Sequence, residues 1–205
     1  MVSHMNLNYY PVNLRHYLKY KLGISAAYTH TSKREQECLQ KYASGKRILA
    51  EIGVFEGVNT KKFRSVMDRQ GTILAVDPYP RNLFGLLGFG WIRRIAHQEV
   101  NKVKQGKVVW IENLGKFAPD DERVKPYLPV DFLFIDGDHS YEGIRGDWEA
   151  CSDKITSGGI VALHDSVNCQ QPNVGSEIFT QEVILKDQRF QFVESVDTLT
   201  IIRKY

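Results

Sequence analysis

The chain has 205 residues, 42% of them hydrophobic and 25% charged, which suits one globular domain with a sizeable core rather than two domains. Its formal net charge of +3 is too small to support the phosphate neutralisation that nucleic-acid binding needs. The cysteines lack CxxC spacing and no apolar run is long enough for a membrane span or signal peptide, so we expect a soluble, cytoplasmic protein.

Residues 1–46 carry many aromatic and basic side chains and are predicted to form two helices. The sequence Ser32-x-x-Glu35 is typical of a helix capping box. We expect this segment to be a helical cap on a domain at residues 47–205, while a lid or a homodimer contact remains the alternative. The apolar positions of its first helix are at helical spacing: Leu14, Tyr17, Leu18 and Leu22.

From residue 47 onward, short β-rich runs alternate with helical stretches, which is typical of an α/β fold with a parallel sheet. The last two strands are joined at Asp197 by a connection so short that only an antiparallel pair fits. We therefore expect a Rossmann-like, seven-stranded, mostly parallel sheet with an antiparallel last strand and helices on both faces. The predicted strands are Arg47–Ile52, Thr72–Val76, Lys107–Ile111, Val130–Ile135, Gly159–Leu163, Gln191–Val196 and Thr198–Arg203. One apolar helix face is predicted between the fourth and fifth strands: Tyr141, Ile144, Trp148, Cys151 and Ile155.

The first strand runs into a glycine turn, after which Thr60 lies at the start of a helix. Gly53 and Gly57 suit a turn at which the backbone approaches a ligand. A NAD-binding fingerprint needs glycine at position 55, so Phe55 argues against that dinucleotide. Glu51 is costly near the end of a buried strand unless it is paired, which predicts a cationic ligand.

Polar residues also follow the second and third strands. Asp77 is placed to accept hydrogen bonds from both ribose hydroxyls of a nucleoside, although before Pro78 it also suits the start of a turn. Asn113, after the third strand, lies where the edge of an adenine ring is expected, with an exposed turn as the alternative.

The most informative stretch follows the fourth strand, where Asp136, Asp138 and His139 come directly after a buried apolar run. The fifth strand delivers His164 and Asp165 to the same edge of the sheet, where open α/β sheets bind ligands. Two neighbouring strand tips with carboxylate and imidazole groups are able to hold one divalent ion.

With these motifs the chain resembles a class I S-adenosylmethionine-dependent methyltransferase. It carries E-I-G-x-x-x-G, F-I-D-G-D-H-S-Y-E-G and G-G-x-x-x-x-H-D, and so resembles a family related to cephalosporin-biosynthesis and macrocin O-methyltransferases. The resemblance covers residues 45–205 and implies S-adenosylmethionine as cofactor and O-methylation of a small-molecule hydroxyl on a sugar or natural product. The cofactor-binding residues that it implies are Glu51, Gly53, Phe55, Gly57, Thr60, Asp77, Asn113, Asp136 and His139.

The resemblance also implies roles in the reaction. Asp136 and His139 are expected to be catalytic, with His139 as general base, because imidazole exchanges protons near neutral pH. Asp136, His164 and Asp165 are expected to hold Mg²⁺ or another divalent cation. His164 stands where several relatives have Glu or Asp, which leaves a softer metal than magnesium, or none, as alternatives.

Two loops are expected to border the site. Residues 80–95 form an apolar, glycine-punctuated stretch that suits a cover over the substrate or a dimer patch, and residues 168–175 suit the other wall of the acceptor pocket. We expect a small-molecule partner and neither nucleic acid nor membrane. A NAD-dependent oxidoreductase and a non-catalytic nucleoside-binding module remain the alternative functions.

Overall fold

Apolar runs rich in β-branched residues form one seven-stranded sheet in the computed structural model, which describes residues 14–79 and 89–205. The strand order is β3-β2-β1-β4-β5-β7-β6, and β7 alone runs against the others. The predicted fold, with six parallel strands and a reversed last strand, is confirmed. The strands are β1 Ile48–Ile52, β2 Thr72–Val76, β3 Lys107–Ile111, β4 Val130–Ile135, β5 Ile155–Leu163, β6 Phe190–Val196 and β7 Leu199–Lys204.

Helices cover both faces of the sheet, and the strands β1, β2 and β4 are accordingly buried along nearly their whole length. On one face Ile52 and Leu133 pack with Trp148, and on the other Leu49 packs with Phe63. None of the helices in residues 14–79 and 89–205 has the length and apolar character needed to cross a membrane. The α-helices in those ranges are α1 Leu14–Lys21, α2 Lys33–Ala43, α3 Val58–Val66, α4 Phe89–Val100, α5 Tyr141–Cys151 and α6 Gly175–Glu182.

The helix face predicted before the fifth strand includes one residue, Ile155, that is not helical. Helix α5 ends at Cys151, a short 3₁₀ turn covers Ser152–Lys154, and Ile155 begins β5 instead of closing the helix. Strand β5 therefore starts four residues before its predicted start at Gly159. Ile155 is still in the core, with 3% of its surface exposed, so the apolar spacing predicted its burial but not its secondary structure.

Helix α1 buries a different face from the one that its leucines predict. Leu14 and Leu18 are about half exposed, at 48% and 49%, whereas His16 and Tyr20 are buried. The buried pair finds polar partners on the domain, since His16 contacts Glu56 and Tyr20 donates a hydrogen bond to Glu99. Of the predicted stripe, Tyr17 does pack on the domain, with its ring 4.6 Å from that of Trp91, so polar and aromatic contacts together hold this helix.

Part of the segment predicted as a loop at residues 80–95 is helical. Residues 89–95 belong to α4, whose Ile92 and Ile95 are buried beside Tyr79 and therefore anchor the helix. Residues 80–88 lie outside the described residues, and the prediction that they cover the site stays a prediction.

Candidate active site

Three carboxylate residues lie together at the carboxyl edge of the sheet. Glu51 sits in the central strand β1, opposite Ala75 of β2 and Phe134 of β4. Asp77 and Asp136 are the first residues beyond β2 and β4. The edge predicted as the ligand site therefore does gather residues from three neighbouring strands.

Glu51 is a buried carboxylate with one oxygen still available. Only 1% of the residue is exposed, and its Oε2 accepts a hydrogen bond from the hydroxyl of Thr60 on α3. Among residues 14–79 and 89–205, no donor is hydrogen bonded to its Oε1. Burial raises the pKa of Glu51 well above its ordinary value, and the negative charges of Asp136 and Asp77 raise it further. An oxygen in this state favours a ligand that brings a positive charge or a hydrogen-bond donor.

Asp77 fastens the glycine turn to the end of β2. Its Oδ2 accepts hydrogen bonds from the backbone N–H groups of Val54 at 3.0 Å and Phe55 at 2.9 Å, and its Oδ1 accepts one from Tyr79 at 2.8 Å. Burial raises the pKa of Asp77 although all three of these bonds oppose the shift. Asp77 thus has a structural role in addition to the ribose contact that the sequence predicts.

The glycines of the turn are needed for packing inside the protein. A Cβ atom at Gly53, where φ is +89°, would lie 1.9 Å from the backbone oxygen of Asp136. A Cβ atom at Gly57, where φ is +78°, would lie 2.8 Å from the side chain of Val100 on α4. The expected approach to a ligand remains a prediction, because contacts within the chain already require glycine at both positions.

The remaining predicted cofactor residues border the same edge. Phe55 has a φ of +50° and stacks on His30 with ring centroids 5.3 Å apart. The Oδ1 atom of Asn113 accepts a hydrogen bond from the backbone N–H of Leu114 at 2.9 Å, and its contact with an adenine ring stays a prediction.

His139 lies between two carboxylates and is open to solvent. Its Nδ1 atom is 3.2 Å from Oδ2 of Asp165, and its Nε2 atom is 3.6 Å from Oδ1 of Asp136. The side chain of His139 is 39% exposed. The structure therefore brings together the tips of β4 and β5 as predicted, with an accessible imidazole between them.

His164 is the buried partner in this cluster. Its Nδ1 atom is 3.0 Å from Oδ1 of Asp136, and its Nε2 atom is 3.5 Å from Oε2 of Glu35. These are ion-pair contacts, since within the described part of the chain neither nitrogen makes a well-directed hydrogen bond. Although burial on its own lowers it, the carboxylates of Asp136 and Glu35 raise the pKa of His164 to about 11.

The cluster has the donor set of a divalent metal site. One ligand atom each from Asp136, His139 and His164 lie within 4.8 Å of one another. Asp165, predicted as a ligand, borders this group, with its Oδ2 3.6 Å from Nδ1 of His164. Even with His164 as the one imidazole ligand beside carboxylates, the set suits a first-row transition ion better than magnesium, which prefers oxygen ligands.

The loop predicted as a wall of the acceptor pocket ends against His139. The backbone N–H of Ser176 donates to the carbonyl oxygen of His139 at 3.0 Å, and its hydroxyl donates to the carbonyl oxygen of Asp165 at 2.6 Å. Gly175 packs so closely on residue 141 that a Cβ atom would lie 2.1 Å from the Tyr141 nitrogen. Residues 168–175 thus approach the cluster from the side of α6.

Two N-terminal residues that the sequence analysis did not assign to the site also reach it. His16 contacts Glu56, which is fully buried in the glycine turn, with its Nε2 3.1 Å from a carboxylate oxygen. Glu35 of α2 contacts His164 as described above. The capping-box pattern identified Glu35 only as a helix start, since a local pattern carries no information about a contact with a strand far along the chain.

The comparison with protein families covers the strands that form this edge of the sheet. Residues 50–166, more than half of the chain, match the model described as "Methyltransferase domain". The chain belongs to this methyltransferase family. The predicted enzyme class is thereby confirmed, and the match covers Glu51, Asp77, Asp136, His139 and His164. A comparison with curated proteins finds no match.

Solved structures share the fold of this methyltransferase at low sequence identity. An O-methyltransferase from Bacillus cereus in complex with SAH is 17% identical over 93% of this chain and 90% of that one, with a TM-score of 0.62. The O-methyltransferase TomG from Streptomyces achromogenes, in complex with SAM, is 14% identical over 91% and 85%, with a TM-score of 0.64. An rRNA methylase from Streptococcus thermophilus is 12% identical over 86% and 99%, with a TM-score of 0.55.

Proposed function

We propose that this methyltransferase binds S-adenosylmethionine across the tips of β1, β2 and β4 and transfers its methyl group to a hydroxyl oxygen of a small molecule. The observation that carries the proposal is the accessible His139, held between Asp136 and Asp165, with the buried Glu51 close enough to Asp136 to feel its charge. Two of the similar structures described above are O-methyltransferases bound to SAH and SAM, which supports it.

The cofactor fits the charges of the edge. S-adenosylmethionine carries a positive amino group and a sulfonium, and Oε1 of Glu51 is a buried acceptor without a hydrogen bond in the described ranges. Asp77 keeps acceptor capacity for the ribose because a carboxylate has about four lone-pair sites and three are used. The amide nitrogen of Asn113 would meet the adenine ring, since its Oδ1 already accepts a hydrogen bond from Leu114.

The transfer is an in-line displacement. The acceptor oxygen forms a bond to the methyl carbon while the carbon–sulfur bond breaks, and its electron pair stays on sulfur to leave neutral S-adenosylhomocysteine. The hydroxyl proton passes to Nε2 of His139, because Asp165 at 3.2 Å keeps a proton on Nδ1 and stabilises the imidazolium that forms. Asp136 then helps to hold that imidazolium until the proton leaves to solvent.

The proposal also includes a divalent cation in this site. Asp136, His164 and Asp165 would hold it, and when bound it would lower the pKa of the acceptor hydroxyl and orient it. His164 ligates only as a neutral ring, so binding the ion displaces a proton from it. His139 remains accessible beside this group and keeps its role as base.

RNA is the second candidate acceptor, because one of the structures with this fold is an rRNA methylase. The charges around His139 favour a small molecule instead. Asp136, Asp138 and Asp165 would repel a phosphate backbone at the point where the acceptor must enter, and the net charge of +3 offers little compensation.

Two measurements test the proposal. Calorimetry with S-adenosylhomocysteine should show binding, and no heat at millimolar ligand would end the cofactor assignment. Transfer of a tritiated methyl group from S-adenosylmethionine should then be measured on a panel of catechols, sugars and polyketides, with bulk RNA alongside. A signal on RNA alone would replace the small-molecule acceptor, and binding without transfer to any acceptor would favour the non-catalytic module.

The base and the metal are tested on the best acceptor. His139→Ala should lower kcat by about 10² to 10⁴ while its affinity for S-adenosylhomocysteine stays within twofold. Unchanged turnover would remove the base role. Prior treatment with EDTA should lower turnover, and Mn²⁺ should restore it better than Mg²⁺; full activity after EDTA would remove the metal.

A further inference from the structure

Helix α2 lies outside the residues that match the family, and the carboxylate of its Glu35 contacts His164 of the candidate active site. Glu35 is 2% exposed, and its Oε2 lies 3.5 Å from Nε2 of His164. The opposite nitrogen of the same ring, Nδ1, lies 3.0 Å from Oδ1 of Asp136. The imidazole therefore spans the distance between a carboxylate of the N-terminal segment and a carboxylate of the reaction site.

The Glu35 carboxylate is itself held in a fixed position. Its Oε2 accepts a hydrogen bond from the backbone N–H of Ser32 at 2.7 Å. Its Oε1 accepts hydrogen bonds from the backbone N–H of Thr198 at 2.9 Å and from the Thr198 hydroxyl at 2.8 Å. Donors from the start of α2 and from the β6–β7 turn thus fix both oxygens, so the group facing His164 has little freedom to move.

We infer that Glu35 is a positioning residue of the methyltransferase, whose carboxylate pairs with the Nε2 side of the His164 ring and so keeps Nδ1 turned toward Asp136. A carboxylate behind one ring nitrogen of a histidine fixes the orientation of the ring and hence the direction in which the other nitrogen points. This inference rests on the proposed function, because it assigns a role in the reaction to a residue of the N-terminal segment. The helical cap is then part of the active site as well as a cover on the domain.

A purely structural role is the competing explanation, since Glu35 completes the capping box of α2. Substitution with glutamine removes the charge that faces His164. Its single amide oxygen keeps the hydrogen bonds from Thr198, whereas the capping hydrogen bond from Ser32 is lost, so unchanged cofactor affinity is what distinguishes loss of positioning from loss of the cap. Glu37→Gln is the matched control, because Glu37 is an exposed residue on the same helix.

The test compares the wild type, Glu35→Gln and Glu37→Gln. We expect Glu35→Gln to lower kcat at least tenfold while the KM for the acceptor and the affinity for S-adenosylhomocysteine stay within twofold, and Glu37→Gln to match the wild type. Equal kcat for Glu35→Gln and the wild type would overturn the inference. So would a loss of kcat that is accompanied by an equal loss of S-adenosylhomocysteine affinity, because that indicates general disruption.

Nitrogen-15 NMR of the histidine rings gives a readout that depends on neither turnover nor the folding of a variant. In the wild-type protein, Nε2 of His164 should carry a proton that exchanges slowly with water, and a ring without a proton on Nε2 would overturn the inference. Failure of the proposed function is recognised separately, because it would show as absent S-adenosylhomocysteine binding in the wild type whatever the state of His164.

Discussion

The backbone N–H of Phe55 donates a hydrogen bond to Oδ2 of Asp77 at 2.9 Å, which ties the glycine turn after β1 to the tip of β2. Val54 donates to the same oxygen at 3.0 Å, so one carboxylate holds two consecutive residues of the turn. Asp77, to which the sequence assigns a ribose contact, thus also supports the loop on which the cofactor would lie.

Asp77→Asn should therefore destabilise the protein even in the absence of ligand. An asparagine amide replaces one acceptor oxygen by a donor, which leaves a backbone N–H of residues 54, 55 or 79 without its acceptor, at a cost of about 1 to 3 kcal/mol. Chemical denaturation of the ligand-free protein measures this. Asp68→Asn, in an exposed turn, should change stability by less than about 0.5 kcal/mol. A stable Asp77→Asn protein with weakened S-adenosylhomocysteine binding would leave only the ribose role.

Glu51→Gln should raise the stability of the ligand-free protein and lower its affinity for the cofactor. Glutamine keeps an acceptor for the Thr60 hydroxyl but carries no charge into a buried site, so the ligand-free protein should gain stability at pH 8. The same change removes the negative partner of a cationic cofactor, and affinity for S-adenosylhomocysteine should fall at least tenfold in calorimetry. A variant that binds as well as the wild type would mean that Glu51 does not face the cofactor.

Asp147 should make stability fall as pH rises toward neutrality. Burial, assisted by the charge of Asp138, raises the pKa of this carboxyl from 3.8 to about 7, against the opposing hydrogen bond from the Lys116 backbone. In the folded state it keeps its proton over a range in which the unfolded chain loses it, so stability present below about pH 4 is lost by about pH 7.

The difference in unfolding free energy between Asp147→Asn and the wild type isolates the contribution of this carboxyl. The stability of Asp147→Asn relative to the wild type should increase between pH 4 and pH 7 by up to about 4 kcal/mol and then level off. Urea unfolding at several pH values measures it, with the exposed Asp120→Asn as a control that should show no such trend. A constant difference across this window would show that Asp147 does not hold a proton in the native state.

Gly53→Ala should disrupt both the turn and the position of Asp136. The new Cβ atom would lie 1.9 Å from the Asp136 backbone oxygen, so β1 and β4 must separate, at a cost of about 3 kcal/mol or more. Gly45→Ala is the matched control, because Gly45 also has a positive φ of +69° but no atom of the described residues within 4 Å of the added group. The control should lose only about 1 to 2 kcal/mol in thermal unfolding, and equal losses would disprove the collision.

The sequence was sufficient to predict the fold and the edge that holds the site. Residues directly after buried apolar runs, such as Asp77, Asp136 and His164, must reach one edge when the strands are parallel, so their proximity needed no further information. The one short connection, at Asp197, likewise determined the direction of β7.

The parts that could not be predicted depend on contacts between distant segments. The contact of Glu35 with His164 and the burial of His16 against Glu56 follow from how two helices lie on a finished sheet. Local spacing also failed where tertiary packing decides the outcome, as it did for the exposed Leu14 of α1 and for Ile155 at the start of β5.

The bond between Glu35 and Thr198 joins residues 163 positions apart and therefore sets an order of events during synthesis. Glu35 is synthesised well before Thr198, so its carboxylate meets this partner only after residue 198 has emerged from the ribosome. A nascent chain that ends before residue 198 lacks both hydrogen bonds from Thr198 to Glu35. With Glu35 as a positioning residue, full methyl transfer requires that the β6–β7 turn has been made.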